Sequence, residues 1–217
     1  MNRKKLFTVA VIVCLIALLS MGTVAWFSAS DSVTNKFMIA SSDDPKDPED
    51  IFSIDVYEYV GDDGELNQDG DEAVYNDILP GDSLKKEVYA KNTGAYDQFV
   101  RVTVTVSDAR AWMNVLGVTD VPAISKIVKG YDSSMWSPRS GAYLSESNKF
   151  VYELYYIGVL TPGSAINVFD SVEIPGSMTK EQAAAFNGGF DIDVKADAVQ
   201  TENVGANAKE AFATVGL

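Results

Sequence analysis

The sequence predicts an all-β protein, an antiparallel β-sandwich of jelly-roll type with a few short helices. Apolar and polar residues alternate with a period of two along many segments, which is the pattern of strands with one buried face. Pro-Gly turns at residues 80–81 and 162–163 each precede such a segment. Helix signals are confined to a few short stretches, so strands must supply the core.

The first 25 residues have the order of an export signal. Residues 3–5 are basic, residues 6–19 are almost wholly apolar, and residues 23–25 form a small-x-small tripeptide suited to signal peptidase. We predict cleavage between Ala25 and Trp26. A retained anchor helix is the disfavoured alternative, because the apolar run is shorter than the roughly 20 residues that span a bilayer.

The mature chain would be strongly acidic and free of cysteine. Removing 25 of the 217 residues leaves 192, with 14 basic against 31 acidic residues and a net charge of −17. This charge disfavours nucleic acid as a partner, and we expect no membrane contact after cleavage. The single cysteine, Cys14, lies in the leader, so packing and not disulfides must stabilise the fold.

The composition also limits the possible chemistry. The chain has no histidine, which excludes zinc-protease motifs and Ser-His-Asp triads. A glycosidase needs only two carboxylates and stays open. We expect no enzymatic activity, no catalytic residues and no obligatory cofactor.

Residues 26–50 are predicted to be an N-terminal strand segment followed by an acidic linker. Four apolar residues of this segment fall at mostly alternating positions: Phe27, Val33, Phe37 and Ile39. They indicate a one-sided strand, or two shorter pieces. Residues 41–50 contain two prolines and five acidic residues, a composition too polar to order itself. The sandwich domain then occupies residues 51–217.

The sandwich domain divides into alternating strands and short helices. Strands are predicted at residues 51–60, 84–90, 99–107, 150–160, 166–174 and 190–200. Helices are predicted at residues 111–116, after a capping box formed by Thr179 and Gln182, and at residues 206–214. The last strand has Ile192 and Val194 on its apolar face and aspartates on the other, so we expect one buried and one wet face.

Residues 109–141 lack sustained alternation and predict a long excursion that carries Trp112, Tyr131 and Trp136. Aromatic residues in long loops more often cap the core than face the solvent. Exposed tryptophans would instead stack on sugars, which is the alternative.

An acidic segment between two strands half-matches a calcium-binding loop, in which alternate oxygen ligands precede a tight glycine turn. The four candidate ligands are Glu65, Asn67, Asp69 and Asp71. Position twelve is Asn76, where a bidentate glutamate belongs. A solvated acidic hairpin is therefore the favoured interpretation, with bound calcium as the alternative.

Two parts of the sequence resemble the TasA/camelysin family. Residues 22–28 read Gly-Thr-Val-Ala-Trp-Phe-Ser and precede an Asn-x-Phe stretch at residues 35–37, which is similar to the export segment of that family. The second part is similar to the core of the family's domain. It consists of Leu79-Pro80-Gly81-Asp82, an alternating strand, Asn92-Thr93-Gly94 and a valine-rich strand.

The resemblance implies a secreted structural protein that assembles into the extracellular fibres of a biofilm matrix. It implies donation of the segment at residues 27–39 to a sheet edge of the next subunit, with folding back into its own domain as the alternative. The expected partners are further copies of the chain, a SipW-type signal peptidase, and matrix polysaccharide or an accessory anchoring protein. The expected location is the extracellular matrix or the cell surface.

Two other functions stay open at this point. One is a secreted surface module that binds polysaccharide or calcium, through the acidic loop or the tryptophan-bearing excursion. The other is a camelysin-like secreted hydrolase.

Overall fold

The computed structural model describes residues 28–33, 52–60, 64–66, 73–138 and 141–217. Within these ranges the strands are β1 (Ser28–Val33), β2 (Ile54–Val60), β3 (Gly64–Leu66), β4 (Ala73–Tyr75), β5 (Ser83–Asn92), β6 (Gln98–Val106), β7 (Val128–Lys129), β8 (Trp136–Pro138), β9 (Ala142–Leu144), β10 (Lys149–Tyr156), β11 (Ala165–Glu173) and β12 (Ile192–Gln200). The helices are α1 (Ala109–Leu116), α2 (Lys180–Ala184) and α3 (Ala208–Val215), with a 3-10 turn at Ile124–Lys126. The predicted signal peptide and the predicted acidic linker lie outside the described residues.

Two antiparallel sheets face each other across one core. The strand order is β1-β12-β6-β10-β8 in the first sheet, with β9 also paired to β10, and β2-β5-β11-β7 in the second. One buried cluster includes Val56, Val88 and Val168 from the second sheet and Val104 and Val194 from the first. From β5 to β12 the chain crosses repeatedly between the sheets, as in a jelly roll. The predicted all-β antiparallel sandwich with a few short helices is confirmed.

Period-two alternation builds the core, as β6 illustrates. Val100, Val102, Val104 and Val106 are fully buried, whereas the residues between them are partly exposed. Each buried valine contributes about 1.5 kcal/mol or more before ordering costs. The strands predicted at residues 51–60, 84–90, 99–107, 150–160, 166–174 and 190–200 are all present, with differences of a few residues at their ends.

The expectation that β12 has one wet face is wrong for its second half. Asp197 and Val199 lie on the face predicted to be wet, yet they are 5% and 0% exposed because α3 covers that face. The cluster beneath the helix consists of Phe99, Tyr155, Val199, Val204, Ala208, Ala211 and Phe212. The Arg101 guanidinium donates to Asp197 at 2.7 Å and lies 4.6 Å from the centroid of the Phe212 ring. The negative charge of the buried Asp197 carboxylate is thereby balanced by Arg101 beneath α3.

The segment predicted to be a long excursion is more ordered than expected. It contains α1, the 3-10 turn, β7 and β8. Trp112 and Trp136 are 1% and 0% exposed. Trp112 packs edge-on against Phe186, with ring centroids 5.3 Å apart, and the Trp136 indole donates to the Asn167 carbonyl at 2.9 Å. Both tryptophans cap the core as favoured above, and their burial excludes the alternative that they stack on sugars.

The predicted helices are present. At the start of α2 the Thr179 hydroxyl accepts from the Gln182 backbone N–H at 3.3 Å, and the Gln182 side chain accepts from the Thr179 N–H at 2.9 Å. This is the predicted capping box. Helix α3 confirms the helix predicted at residues 206–214, and α1 extends the one predicted at residues 111–116.

The two Pro-Gly turns occupy equivalent places at opposite ends of the β5–β11 pair. Gly81, with a φ of 97°, donates its N–H to the Ile174 carbonyl at 3.0 Å. Gly163, with a φ of 76°, donates its N–H to the Asn92 carbonyl at 2.9 Å. Positive φ after proline is what a type II turn requires, and glycine adopts it without steric cost. The repeated motif therefore closes both ends of one strand pair.

Candidate functional site

The strand β1 lies at the edge of the first sheet. Its six residues pair antiparallel with β12, from Ser28 opposite Val199 to Val33 opposite Val194. On its other side β12 pairs with β6 along its whole length. In this single chain β1 thus folds back onto its own domain, which is the arrangement given above as the alternative to donation.

The predicted donor segment is only partly described. Val33 is the last residue of β1. The predicted site residues outside the described ranges are Phe27, Phe37 and Ile39 of the donor segment and Ala25 and Trp26 of the cleavage site. Cleavage after Ala25 and the roles of these side chains stay predictions.

A buried ion pair joins β2 and β5 on the core side of the second sheet. Lys86 Nζ donates to Glu58 Oε2 at 2.5 Å, and the two side chains are 3% and 1% exposed. The other carboxylate oxygen, Glu58 Oε1, is buried with no hydrogen-bond partner. Removing one member of such a pair leaves a buried charge uncompensated, so the pair ties β2 to β5 at this register.

Three tyrosines form a contiguous group on the solvent side of the second sheet, and we call Tyr57, Tyr59 and Tyr89 the tyrosine cluster. Tyr57 of β2 pairs directly with Tyr89 of β5, and their rings stack with centroids 5.2 Å apart and planes 10° apart. The Tyr59 ring stands edge-on to both, at 87° and 78°, and this residue is 54% exposed. The pKa of the Tyr57 phenol is raised, mainly because the phenol is partly buried and secondly because Tyr59 and Tyr89 are close to it.

Polar side chains flank the tyrosine cluster. Lys85 and Glu87 form an ion pair at 3.2 Å with side chains 54% and 29% exposed, and Glu87 lies opposite Tyr59 in the strand register. At the other end of the cluster, Asp55 lies opposite Lys91. The surface thus combines aromatic rings with hydrogen-bond donors and acceptors.

A cavity of about 380 Å³ lies between β4 and the loop that precedes β12. Its polar lining includes Lys86, Asp108 and Asp191. Lys86 is already paired with Glu58, and Asp191 is exposed to solvent. A glycosidase holds its acid catalyst in apolar surroundings, so this cavity adds no support to the hydrolase alternative.

The calcium candidate falls largely outside the described residues. Glu65 lies in β3, which forms a two-stranded antiparallel hairpin with β4, in agreement with the favoured acidic hairpin. Asn67, Asp69 and Asp71 are not among the described residues. Within the described ranges, no group of three or more cysteine, aspartate or glutamate residues is placed to hold a metal ion. Calcium binding stays a prediction.

No protein-family model matches the chain, and no curated protein matches it significantly. In the part of the chain that the structure describes, no helix is long and apolar enough to cross a membrane. The fold defines the class of protein, an all-β antiparallel sandwich, and membership of the TasA/camelysin family stays a prediction.

The tyrosine cluster and the buried ion pair were not predicted from the sequence. Alternation places Tyr57, Tyr59 and Tyr89 on the outer faces of two strands, but it does not say that these strands are neighbours. The β2–β5 register supplies that information. Glu58 and Lys86 fall at inward positions of the same alternation. A charged residue at an inward position is the signal that identifies such a pair.

Proposed function

We propose that the mature protein is a secreted structural subunit that assembles into extracellular matrix fibres by donating β1 to the next copy. The observation that carries the proposal is the position of β1 at a sheet edge, held by one neighbouring strand and followed by a long connection to β2. The resemblance of residues 22–37 and 79–94 to the TasA/camelysin family supports it.

Departure of β1 would uncover the edge of β12 along residues 194–199. Val194, Ala196 and Ala198 on this strand are fully buried in the core. An unpaired strand edge beside a core is a template for pairing with another chain. Because every copy carries the same β1 sequence, a second copy supplies the matching strand.

The connection between β1 and β2 is long enough for exchange. Twenty residues, 34–53, separate the two strands, and a chain of that length extends to roughly 65 Å. The nine residues of β12 span roughly 30 Å. The possible length of the connection therefore exceeds what a return along its own sandwich requires, and it suffices to span to a copy stacked at the end of the sandwich.

Closed and exchanged forms contain the same strand pairing, so they differ little in interaction energy. In the closed form β1 pairs with β12 of its own chain, and this intramolecular pairing corresponds to an effective concentration in the millimolar range. Exchange thus requires a high protein concentration or a partner that opens β1. Since each subunit gives one strand and accepts one, repeated exchange produces an open filament.

A cysteine lock tests this proposal. Ser32 of β1 is directly opposite Lys195 of β12, and the Cα atoms of such neighbours lie about 4.5–5.5 Å apart, within disulfide range. The variant Ser32→Cys, Lys195→Cys introduces two thiols into a mature chain without others. The oxidised variant is expected to stay monomeric, because β1 cannot leave its own domain. The reduced variant is expected to form fibres visible by negative-stain microscopy.

The single variant Ser32→Cys, oxidised in the same way, controls for effects of the oxidant. Fibres of normal length from the fully oxidised double variant would overturn the proposal. A lack of fibres from both wild-type protein and the reduced double variant at millimolar concentration would overturn it as well.

A further inference from the structure

We propose that the tyrosine cluster is a binding surface for a neutral polysaccharide. The surface is separate from the exchange of β1, since β1 belongs to the first sheet and the tyrosines to the second. Its function is therefore independent of fibre formation.

The tyrosine cluster is an open and preorganised aromatic surface. Helix α3 covers part of the outer face of the first sheet, whereas Tyr59, Lys85 and Lys91 on the outer face of the second are exposed. The stacked Tyr57–Tyr89 pair supports the Tyr59 ring from one side, so the ring is held in place before any ligand arrives. A pyranose ring has apolar faces, and such a face packs against an exposed aromatic ring at little ordering cost.

The charge of this surface favours a neutral polymer. The whole chain carries a net charge of −14. On β2 and β5, two acidic residues, Asp55 and Glu87, and two basic ones, Lys85 and Lys91, flank the cluster, so their charges cancel. Asp170, which accepts from Asn167 on β11, adds one negative charge beside them. An anionic polymer finds no excess of positive charge here, and a cationic polymer is drawn to the acidic remainder of the protein.

The flanking side chains match the hydroxyl groups of a sugar. The Glu87 carboxylate accepts from the Tyr89 hydroxyl at 3.5 Å and has further capacity to accept. On the other side of β5, Asn167 of β11 lies opposite Tyr89. Its amide nitrogen donates to the Asp170 carboxylate at 2.9 Å, and its amide oxygen is an acceptor for a sugar hydroxyl. Aromatic rings beside a few polar groups are the composition of a specific small-molecule site.

Native affinity electrophoresis tests the proposal, with gels that contain the charged polymers alginate or chitosan for comparison and gels that contain dextran, hydroxyethylcellulose or galactomannan. Wild-type protein is expected to be retarded by at least one of these neutral polymers. Tyr59→Ala is expected to weaken the apparent affinity about tenfold, whereas Tyr59→Phe keeps the ring and most of the affinity. Tyr96→Ala is the matched control, because Tyr96 is 61% exposed but lies in the loop after β5, outside the cluster.

Several results would overturn the proposal. These are no retardation by any of the three neutral polymers, equal retardation of wild-type protein and Tyr59→Ala, or retardation only by alginate or chitosan that disappears in high salt. Light scattering gives a further check. If wild-type protein dimerises, Tyr59→Ala abolishes the dimer and neither binds polymer, the cluster is a contact between copies of the chain and the proposal is wrong.

Discussion

Replacing Glu58 by leucine is expected to destabilise the sandwich more than most single substitutions. The carboxylate of Glu58 lies 2.5 Å from Lys86 Nζ, and both side chains are almost fully buried between the sheets. Leucine at this position removes the Glu58 carboxylate from the buried Lys86 ammonium. The cost is that of breaking a buried ion pair by removing one of its two charges.

The expected magnitude is about 3–5 kcal/mol in the free energy of unfolding. Domains have total stabilities of roughly 5–15 kcal/mol, so the loss is a large part of the whole. At about 2–4 °C per kcal/mol for a domain of this size, the Tm falls by roughly 6–20 °C. The double variant Glu58→Leu, Lys86→Met removes both charges at similar volume. It is expected to be close to wild type in stability, or more stable by about 1–4 kcal/mol.

Urea unfolding followed by tryptophan fluorescence measures these differences, because Trp112 and Trp136 are buried and report on the core. The matched control is Glu87→Leu, which removes the exposed ion pair with Lys85 on the same strand and is expected to cost at most about 1 kcal/mol. The reasoning is refuted if Glu58→Leu is as mild as the control. It is also refuted if the double variant is as unstable as the single one, since packing and not charge would then explain the loss.

Two further predictions concern the core. Ile192 is 4% exposed, so Ile192→Asp is expected to cost several kcal/mol through an unpaired buried carboxylate, whereas Asp191→Asn at the exposed position just before β12 is expected to change stability little; equal melting temperatures of the two variants would contradict this. Burial raises the pKa of Tyr152 above its ordinary value of 10.0, so the folded state holds the phenolic proton more tightly than the unfolded state does. The contribution of this difference to the free energy of unfolding is complete below about pH 10 and is lost as the pH rises further. Tyr152→Phe is therefore expected to flatten the alkaline fall of stability relative to the exposed control Tyr96→Phe. Identical pH profiles of the two phenylalanine variants would argue against a buried phenol at residue 152.

The sequence predicted the strands well because their signals are local. The valines of β6 alternate without interruption, and the capping box of Thr179 and Gln182 depends on residues three positions apart. The buried faces of the strands were predicted less well where a strand departs from regular alternation. Two register shifts between β11 and β5 leave Val168 and Phe169, which are neighbours in sequence, both fully buried. Simple alternation assigns neighbouring residues to opposite faces.

The remaining features depend on contacts between distant parts of the chain. Asp197 was expected on a wet face because nothing near it in sequence indicates that α3 covers β12. The tyrosine cluster required the pairing of β2 with β5 across about thirty positions of sequence, since Tyr57 and Tyr89 meet only in that register. The strands β1 and β12 are separated by still more residues, and no local pattern specifies whether their pairing forms within one chain or between two.

Strand exchange is tested most directly with two single-cysteine variants in one fibre. Protein with Ser32→Cys is mixed with protein carrying Lys195→Cys, assembled, oxidised and separated on a non-reducing gel. Exchange of β1 predicts covalent heterodimers from the fibres and none from dilute monomers. Lys85→Cys in place of Lys195→Cys is the control, because Lys85 lies in the second sheet and is expected to give no specific heterodimer. Well-formed fibres that contain no Ser32→Cys to Lys195→Cys heterodimers would contradict strand exchange.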